Sequence, residues 1–419
     1  MRKVFTNLTI GLLLTLLVWP VACFGMEKTK IRVFISYDLT GAYSGLQRES
    51  DLGVRMYMKY WNEQELIPGV EILYDIYDSG NNADKVRAAM LDCFGKTPKP
   101  VLALDGISSA LGVVVKPLAE RHKVPILAAS SARGILFPPS WSFSTQPDYP
   151  SLLGSAGKWV KDNWKPDSKI PWIKEHYKKR NPKLAVIAWD NAFGRSFRTK
   201  ETDEYFKEIG VDFLGDEYIP YEPKDTTPNL RRLSGADFIY IVSYDAAHAI
   251  VLKDAERLGI RDNFMDFAFW YTDPVMIKKH AGKRVKNTLI LTGYQPILKE
   301  QPEFVQKWYT QELKRGETDP ILACTAMIQW LDMWREVIQR SVNEVGAKNV
   351  TGETCYDTIT TNFKGYKPIC GTVTQTFSKN KTFGPSAGSV FMFKGGNLVR
   401  IDSDVPIPNL VPIEYKGKL

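Results

Sequence analysis

Histidine and cysteine are scarce, at four and five residues in a chain of 419. His122, His176, His248 and His280 stand too far apart for a metal-binding pattern, and no HExxH occurs, which excludes the familiar zinc hydrolases. No two cysteines have CxxC spacing, so neither a zinc ribbon nor a thiol redox pair is expected. Nucleotide-binding signatures are missing too. The segment after "VFIS" reads "YDLTGAYSGLQ", whose two glycines have the wrong spacing for GxGxxG, and no phosphate loop ending in Lys-Ser/Thr is present. "GISSA" lacks the final glycine of a nucleophile elbow. With no convincing base or nucleophile, no cofactor and no metal set, an enzyme is disfavoured.

Long apolar runs are equally few. One, at residues 10–21, follows Arg2 and Lys3 and precedes the small residues Ala22, Cys23 and Gly25, the layout of a secretory signal in residues 1–25. It is shorter than the roughly 20 residues needed to span a bilayer. "WPVAC" loosely resembles a lipoprotein site that would leave a lipidated Cys23; cleavage after Gly25 is the alternative. A periplasmic or otherwise extracytoplasmic location follows. The formal charge of +8 becomes +6 once Arg2 and Lys3 are removed. Its lysines and arginines are scattered, and the densest cluster, "KEHYKKRNPK" in residues 174–183, reads as a solvated loop rather than a nucleic-acid surface. Of the four remaining cysteines, Cys355 and Cys370 could close a disulfide around a Gly- and Pro-containing turn, worth ~3 kcal/mol. The alternative is four buried free thiols.

What is present is an alternation. Short apolar runs ("IRVFIS", "VEILYDIYDS", "PVLALDG", "VPILAAS") take turns with helix-length amphipathic segments at about 46–61, 83–94 and 110–121. After a break at "STQPDYPS" the pattern resumes with helices at about 151–163, 195–209 and 246–258 between "KLAVIAWD", "VDFLGDEYI", "ADFIYIVS", "FAFWY" and "NTLILTG". Strands alternating with helices predict doubly wound parallel sheets, here an α/β chain of two lobes with a cleft between them. The remainder, helices at about 303–315 and 325–345 and a late hairpin "GSVFMFKGGNLVRI" turning at Gly-Gly, is too little to enclose its own core and should dock on the lobes.

In open α/β sheets ligands sit beyond the carboxyl ends of the strands. In the first half those ends carry Ser108, Ser109, Ser130 and Ser131 beside a helix start, a combination suited to an anion. Helix capping is the alternative for either serine of the first pair. In the second half the ends carry Phe193, Tyr244, Trp270 and Tyr271, while Phe267 and Phe269 read as core. A polar corner facing aromatic walls suits a ligand with one charged end and one apolar body.

With these residues in place, the chain resembles the leucine/isoleucine/valine-binding family of periplasmic solute receptors that serve ABC importers. The resemblance runs from "IRVFISYDLTGAYSGLQRESDLGVRM" through "GISSALGVVVKPLAERHKVPILAASSARGIL", "LAVIAWDNAFGRSF" and "ADFIYIVSYDAAHAIVLKDAERLGI" to "GSVFMF". It implies the type I periplasmic binding protein fold with a hinge of three crossovers near 146–150, 291–294 and 384–388. The lobes would comprise 26–148 with 293–385 and 149–292 with 386–419. Ser109 is similar to the family's carboxylate-binding serine, Ser130 and Ala132 complete that site, Leu46 replaces a lining aromatic, and Phe193 and Tyr244 match two tyrosines that close on the ligand. The departure is Trp270, which stands where amino-acid binders carry a carboxylate for the ligand's ammonium; Asp245 or Asp273 would have to replace it. The resemblance therefore implies a monomeric binding protein that delivers a small carboxylate, amino acid or aromatic or aliphatic acid, to a membrane permease and its ATPase. The alternative is a receptor that signals ligand closure to a partner protein.

Overall fold

The computed structural model describes residues 27–417 except 106, 107, 129, 318 and 320, and of Asp105 and Asp245 only the backbone. The expected signal segment and Cys23 lie outside the described residues. Five parallel strands form the first sheet: β1 (Thr29–Tyr37), β2 (Val70–Asp78), β3 (Pro100–Asp105), β4 (Ile126–Ala128) and β5 (Ser142–Ser144), in the order β2-β1-β3-β4-β5. The second contains β6 (Lys183–Trp189), β7 (Asp212–Ile219), β8 (Phe238–Val242), β9 (Met265–Ala268), β10 (Thr288–Thr292), β11 (Ala387–Lys394) and β12 (Asn397–Pro406), in the order β12-β11-β10-β9-β8-β6-β7. Its first five strands are parallel, and the antiparallel β11–β12 hairpin extends one edge. Central strands are mostly apolar because helices cover both faces; all five residues of β8, "FIYIV", are buried.

The helices are one-sided by the same logic. Helix Ser44–Glu63 buries Leu46, Ser50, Val54, Tyr57, Met58 and Trp61, spaced by three or four residues. Helix Ala323–Val345, from the late part of the chain, packs against it, as the tail reading required. The late hairpin turns at Gly395 and Gly396, with φ of 57° and 82°, the left-handed pair such a turn needs. One helix begins later than the sequence suggests. Residues 194–196 form a separate tight turn, and Thr199, whose side chain accepts from the Thr202 backbone N–H, starts the helix at Lys200.

The chain passes between the sheets three times. Ser144 N–H donates to Thr382 O at 2.8 Å and Gly384 N–H to Ser144 O at 2.9 Å, which pairs the first and third passages. Thr372 N–H donates to Gly293 O and Gln295 N–H to Cys370 O, both at 2.9 Å, beside the second.

Of the two cysteine readings, the disulfide between Cys355 and Cys370 is corrected and the buried free thiols stand. All four described cysteines are buried free thiols. Cys355 lies 3.9 Å from Ser341 Oγ on helix Gly352–Asp357, whereas Cys370 sits by the second passage between lobes, so the two are held by different parts of the first lobe. The basic loop encloses a short helix, Pro171–His176, pinned by Trp172, whose Nε1 donates to Asp262 O at 2.8 Å. Arg180 forks onto Asp237 at 2.7 and 2.9 Å.

Candidate functional site

In both sheets the strand order reverses between the first strand and the third, and the carboxyl ends at those two switch points face each other across the gap between lobes. The first lobe's side begins at Asp38, just past β1. Its carboxylate accepts from Tyr43 N–H at 2.8 Å and from Gly41 N–H, which folds residues 38–43 into a tight loop. A Cβ on Gly41 would lie 2.7 Å from Asp38 Oδ1 and from Gly80 O, so only glycine fits there. The loop presents Tyr43 and Leu46 to the gap.

Ser109 opens helix Ser109–His122 and Ser130 follows β4. The structure brings their hydroxyls to 2.8 Å from each other. The corner is not open, however. Tyr149, the first residue of helix Tyr149–Asn163, reaches in from the first crossover and places its phenol oxygen 2.8 Å from Ser130 Oγ and 3.3 Å from Ser109 Oγ. Burial raises the pKa of that phenol, against the opposing effect of the serine hydrogen bonds, so it stays protonated. Ser108 is buried at the N-cap position, but its side chain makes no capping bond, so capping does not account for it. Ala132 is buried just before the short helix Arg133–Leu136.

The second lobe contributes rings. Phe193 and Tyr244 stack at 5.7 Å with an interplanar angle of 5°. Trp189, at the end of β6, stands 5.3 Å from Tyr244 and 4.4 Å from Tyr221. Tyr43 enters from the first lobe, nearly perpendicular to Tyr221 (5.9 Å, 88°) and Tyr244 (6.1 Å, 85°). Around these rings lies a groove of about 360 Å³, lined by Tyr43 and Leu46 from one lobe and by Trp189, Tyr221, Tyr244 and Met276 from the other. Glu222 and His280 also line it, the former exposed.

Two expected wall residues are elsewhere. Trp270 is fully buried against the crossovers, where a Cβ on Gly293 would meet its ring at 2.6 Å and one on Gly388 at 3.0 Å. Tyr271 stacks on Trp330 at 5.7 Å and its hydroxyl lies 2.8 Å from Ser50 Oγ, which makes it a contact between lobes rather than a groove wall. β9 ends at Ala268, so both residues follow the turn beyond it instead of the strand's direction. Asp273, considered as an ammonium partner, is occupied by backbone: it accepts from Val275 N–H at 2.8 Å and from Ala323 N–H, on the other lobe, at 3.3 Å. The side chain of Asp245 lies outside the description. The sequence reading missed Tyr43, Tyr149, Trp189 and Tyr221. Trp189 and Tyr221 directly end or follow strands β6 and β7, a signal that was available; Tyr43 and Tyr149 belong to a loop and a crossover.

Two doubly wound lobes with opposed switch points, joined by three passages of chain, are the architecture of a hinged binding protein with a cleft between its halves. The chain belongs to the periplasmic binding protein family, whose sequence profile matches residues 30–387. Its fold is the type I periplasmic binding protein fold. Among solved structures, it is similar to a branched-chain amino acid ABC transporter protein from Thermus thermophilus with bound valine (TM-score 0.75, 21% identity, covering 93% of this chain and 100% of that one). It is also similar to a fatty acid ABC transporter substrate-binding protein from Thermomonospora curvata (0.72, 16%, 93% and 94%). A leucine-binding protein from Thermotoga maritima is a further relative in fold (0.68, 16%, 89% and 98%). No curated protein sequence matches the chain. The family and its fold neighbours are solute-binding proteins, not enzymes.

Proposed function

We propose that this chain is the extracytoplasmic solute-capturing component of an ABC importer, closing its two lobes on a small organic acid and presenting the closed form to a membrane permease and its ATPase. The lobes of this reading are residues 26–148 with 293–385 and 149–292 with 386–419, and the protein acts as a monomer. The observation that carries the proposal is the groove walled from both sides. Tyr43 and Leu46 of one lobe and Trp189, Tyr221 and Tyr244 of the other can surround a ligand only when the halves are together. Contacts between lobes support the same closure, among them Arg133 to Glu201 at 3.0 Å and Tyr221 to the Ala42 carbonyl. Among the described residues no helix is long and apolar enough to cross a membrane.

Thermal-shift screening of the mature chain against amino acids, aromatic acids and aliphatic acids tests the proposal. A concentration-dependent rise in melting temperature with one class is expected, because a ligand that binds only the folded state stabilises it. Silence across all three classes would overturn it.

A further inference from the structure

We infer that the ligand is recognised by an aryl or alkyl body lying in the outer groove, beyond Tyr149, and not by an α-amino-acid head group seated on Ser109 and Ser130. The inference rests on the solute-capturing reading above and narrows its ligand class.

The first ground is that the serine corner is already satisfied by the protein. Ser109, Ser130 and Tyr149 form a closed set of hydroxyls at 2.8, 2.8 and 3.3 Å. The Tyr149 ring is 1% exposed, stacks on Phe197 at 4.6 Å and 11°, and meets Phe193 and Phe269 edge-on at 5.3 and 5.9 Å. A carboxylate could reach the serines only by expelling this ring and leaving a void of its size among three other buried aromatics.

The second ground is the composition of the groove. Phe193 packs on Tyr149 from one side and on Tyr244 from the other, so these two rings separate the serine corner from the groove. The wall beyond them is apolar and aromatic, suited to a planar ring or a methylene chain. A bound α-amino acid needs an acceptor for its ammonium as well as donors for its carboxylate, or it forfeits the solvation of both. Among the described side chains the groove's one carboxylate is Glu222 on the exposed rim, and Asp273 is held by the backbone N–H groups of Val275 and Ala323. The ligand class that fits is an aryl- or medium-chain alkyl monocarboxylate, its body among the rings and its charged end hydrated at the rim.

Titration calorimetry on the mature wild-type chain separates the possibilities, using butanoate, hexanoate, octanoate, 3-phenylpropanoate, 1-octanol, L-valine and L-leucine. Affinity should rise about fourfold for each added methylene. 1-Octanol should bind within about tenfold of octanoate, and valine and leucine at least about a hundredfold more weakly, as expected for an apolar groove without paired charges. Trp189→Ala should weaken octanoate at least tenfold; because that variant could fold poorly, Tyr221→Ser at the rim serves as a second, and the wild-type chain-length series needs neither. Tighter binding of valine or leucine than of octanoate, or a loss beyond a hundredfold for 1-octanol, would overturn the inference and leave solute capture standing. Absence of heat with every compound would overturn both.

Discussion

The two lobes are built to one plan and finished differently. β2-β1-β3-β4-β5 in the first and β7-β6-β8-β9-β10 in the second are the same doubly wound order, so each offers a switch point in the same place. At the first, the strand ends carry small hydroxylated residues; at the second they carry Trp189, Phe193 and Tyr244. The scaffold is indifferent to this choice, and the chemistry of capture resides in a few residues past each strand. The difference extends to the interior. The second lobe buries a charged cluster, in which Asp266 meets Arg261 at 2.6 Å, His248 at 2.8 Å and Thr288 at 3.1 Å. The first lobe's buried carboxylate, Asp332, is held mainly by neutral donors, the Tyr57 and Tyr366 hydroxyls at 2.8 and 2.6 Å and the Ile369 N–H at 2.8 Å, with the part-buried Arg335 at 2.9 Å, while its Asp75 lies near the surface between Arg32 and Lys96.

That contrast can be broken most severely at Asp266. Asp266→Ala leaves Arg261 buried without its partner and should cost about 3–5 kcal/mol in urea denaturation, against about 1 kcal/mol for Asp75→Ala. Equal losses would erase the distinction. A second comparison uses the loops after the first strand of each lobe. A Cβ on Gly194 would overlap the Trp189 carbonyl oxygen, a backbone atom with no room to yield, whereas one on Gly41 meets the Asp38 side chain and Gly80 O at 2.7 Å. Gly194→Ala should therefore cost about 3 kcal/mol and Gly41→Ala about 1–2 kcal/mol, read from melting curves.

A pH titration sharpens the comparison further because the carboxylates shift in opposite directions. Burial pushes Asp273 up to about 6, despite its backbone hydrogen bonds. The folded chain then holds a proton that the unfolded chain releases near pH 4, so stability should fall as pH rises from about 4 to about 6. Asp273→Asn should flatten that slope by on the order of 1–3 kcal/mol. For Asp75, burial raises the pKa but hydrogen bonds from Lys96 and Arg32 outweigh it and hold the group below its ordinary value. Its contribution is present above about pH 4 and is lost as pH falls through the lowered pKa. The smallest effect is expected for Tyr149→Phe, about 1 kcal/mol by thermal melting, because Ser109 and Ser130 still have each other.

Much of the architecture was legible because it is written in local patterns. Apolar runs buried on both faces marked the parallel strands, and Gly395-Gly396 marked the hairpin because two consecutive left-handed residues leave little alternative. Ser109 with Ser130, and Phe193 with Tyr244, could be placed together because the members of each pair lie within four residues of the ends of neighbouring strands, β3 and β4 in one sheet and β6 and β8 in the other. Trp270 and Tyr271 could not, since their positions depend on Gly293, Gly388, Ser50 and Trp330, all distant in sequence. The same holds for Tyr149. Nothing in "PDYPS" announces that its ring will cross to the serines of the other lobe, and that one contact decides what the serine corner is available to do.

The return of helix Ala323–Val345 to helix Ser44–Glu63 has a bearing on how the protein comes into being. During synthesis the first lobe waits through more than two hundred residues before its own cover emerges, and meanwhile the parallel strands of the second lobe are already complete. Neither half can be finished in isolation, and a chain cut before Ala323 would expose the Tyr57 and Trp61 face of its first long helix to water. Maturation thus ends where the chain ends, with the last segments made locking the earliest into place.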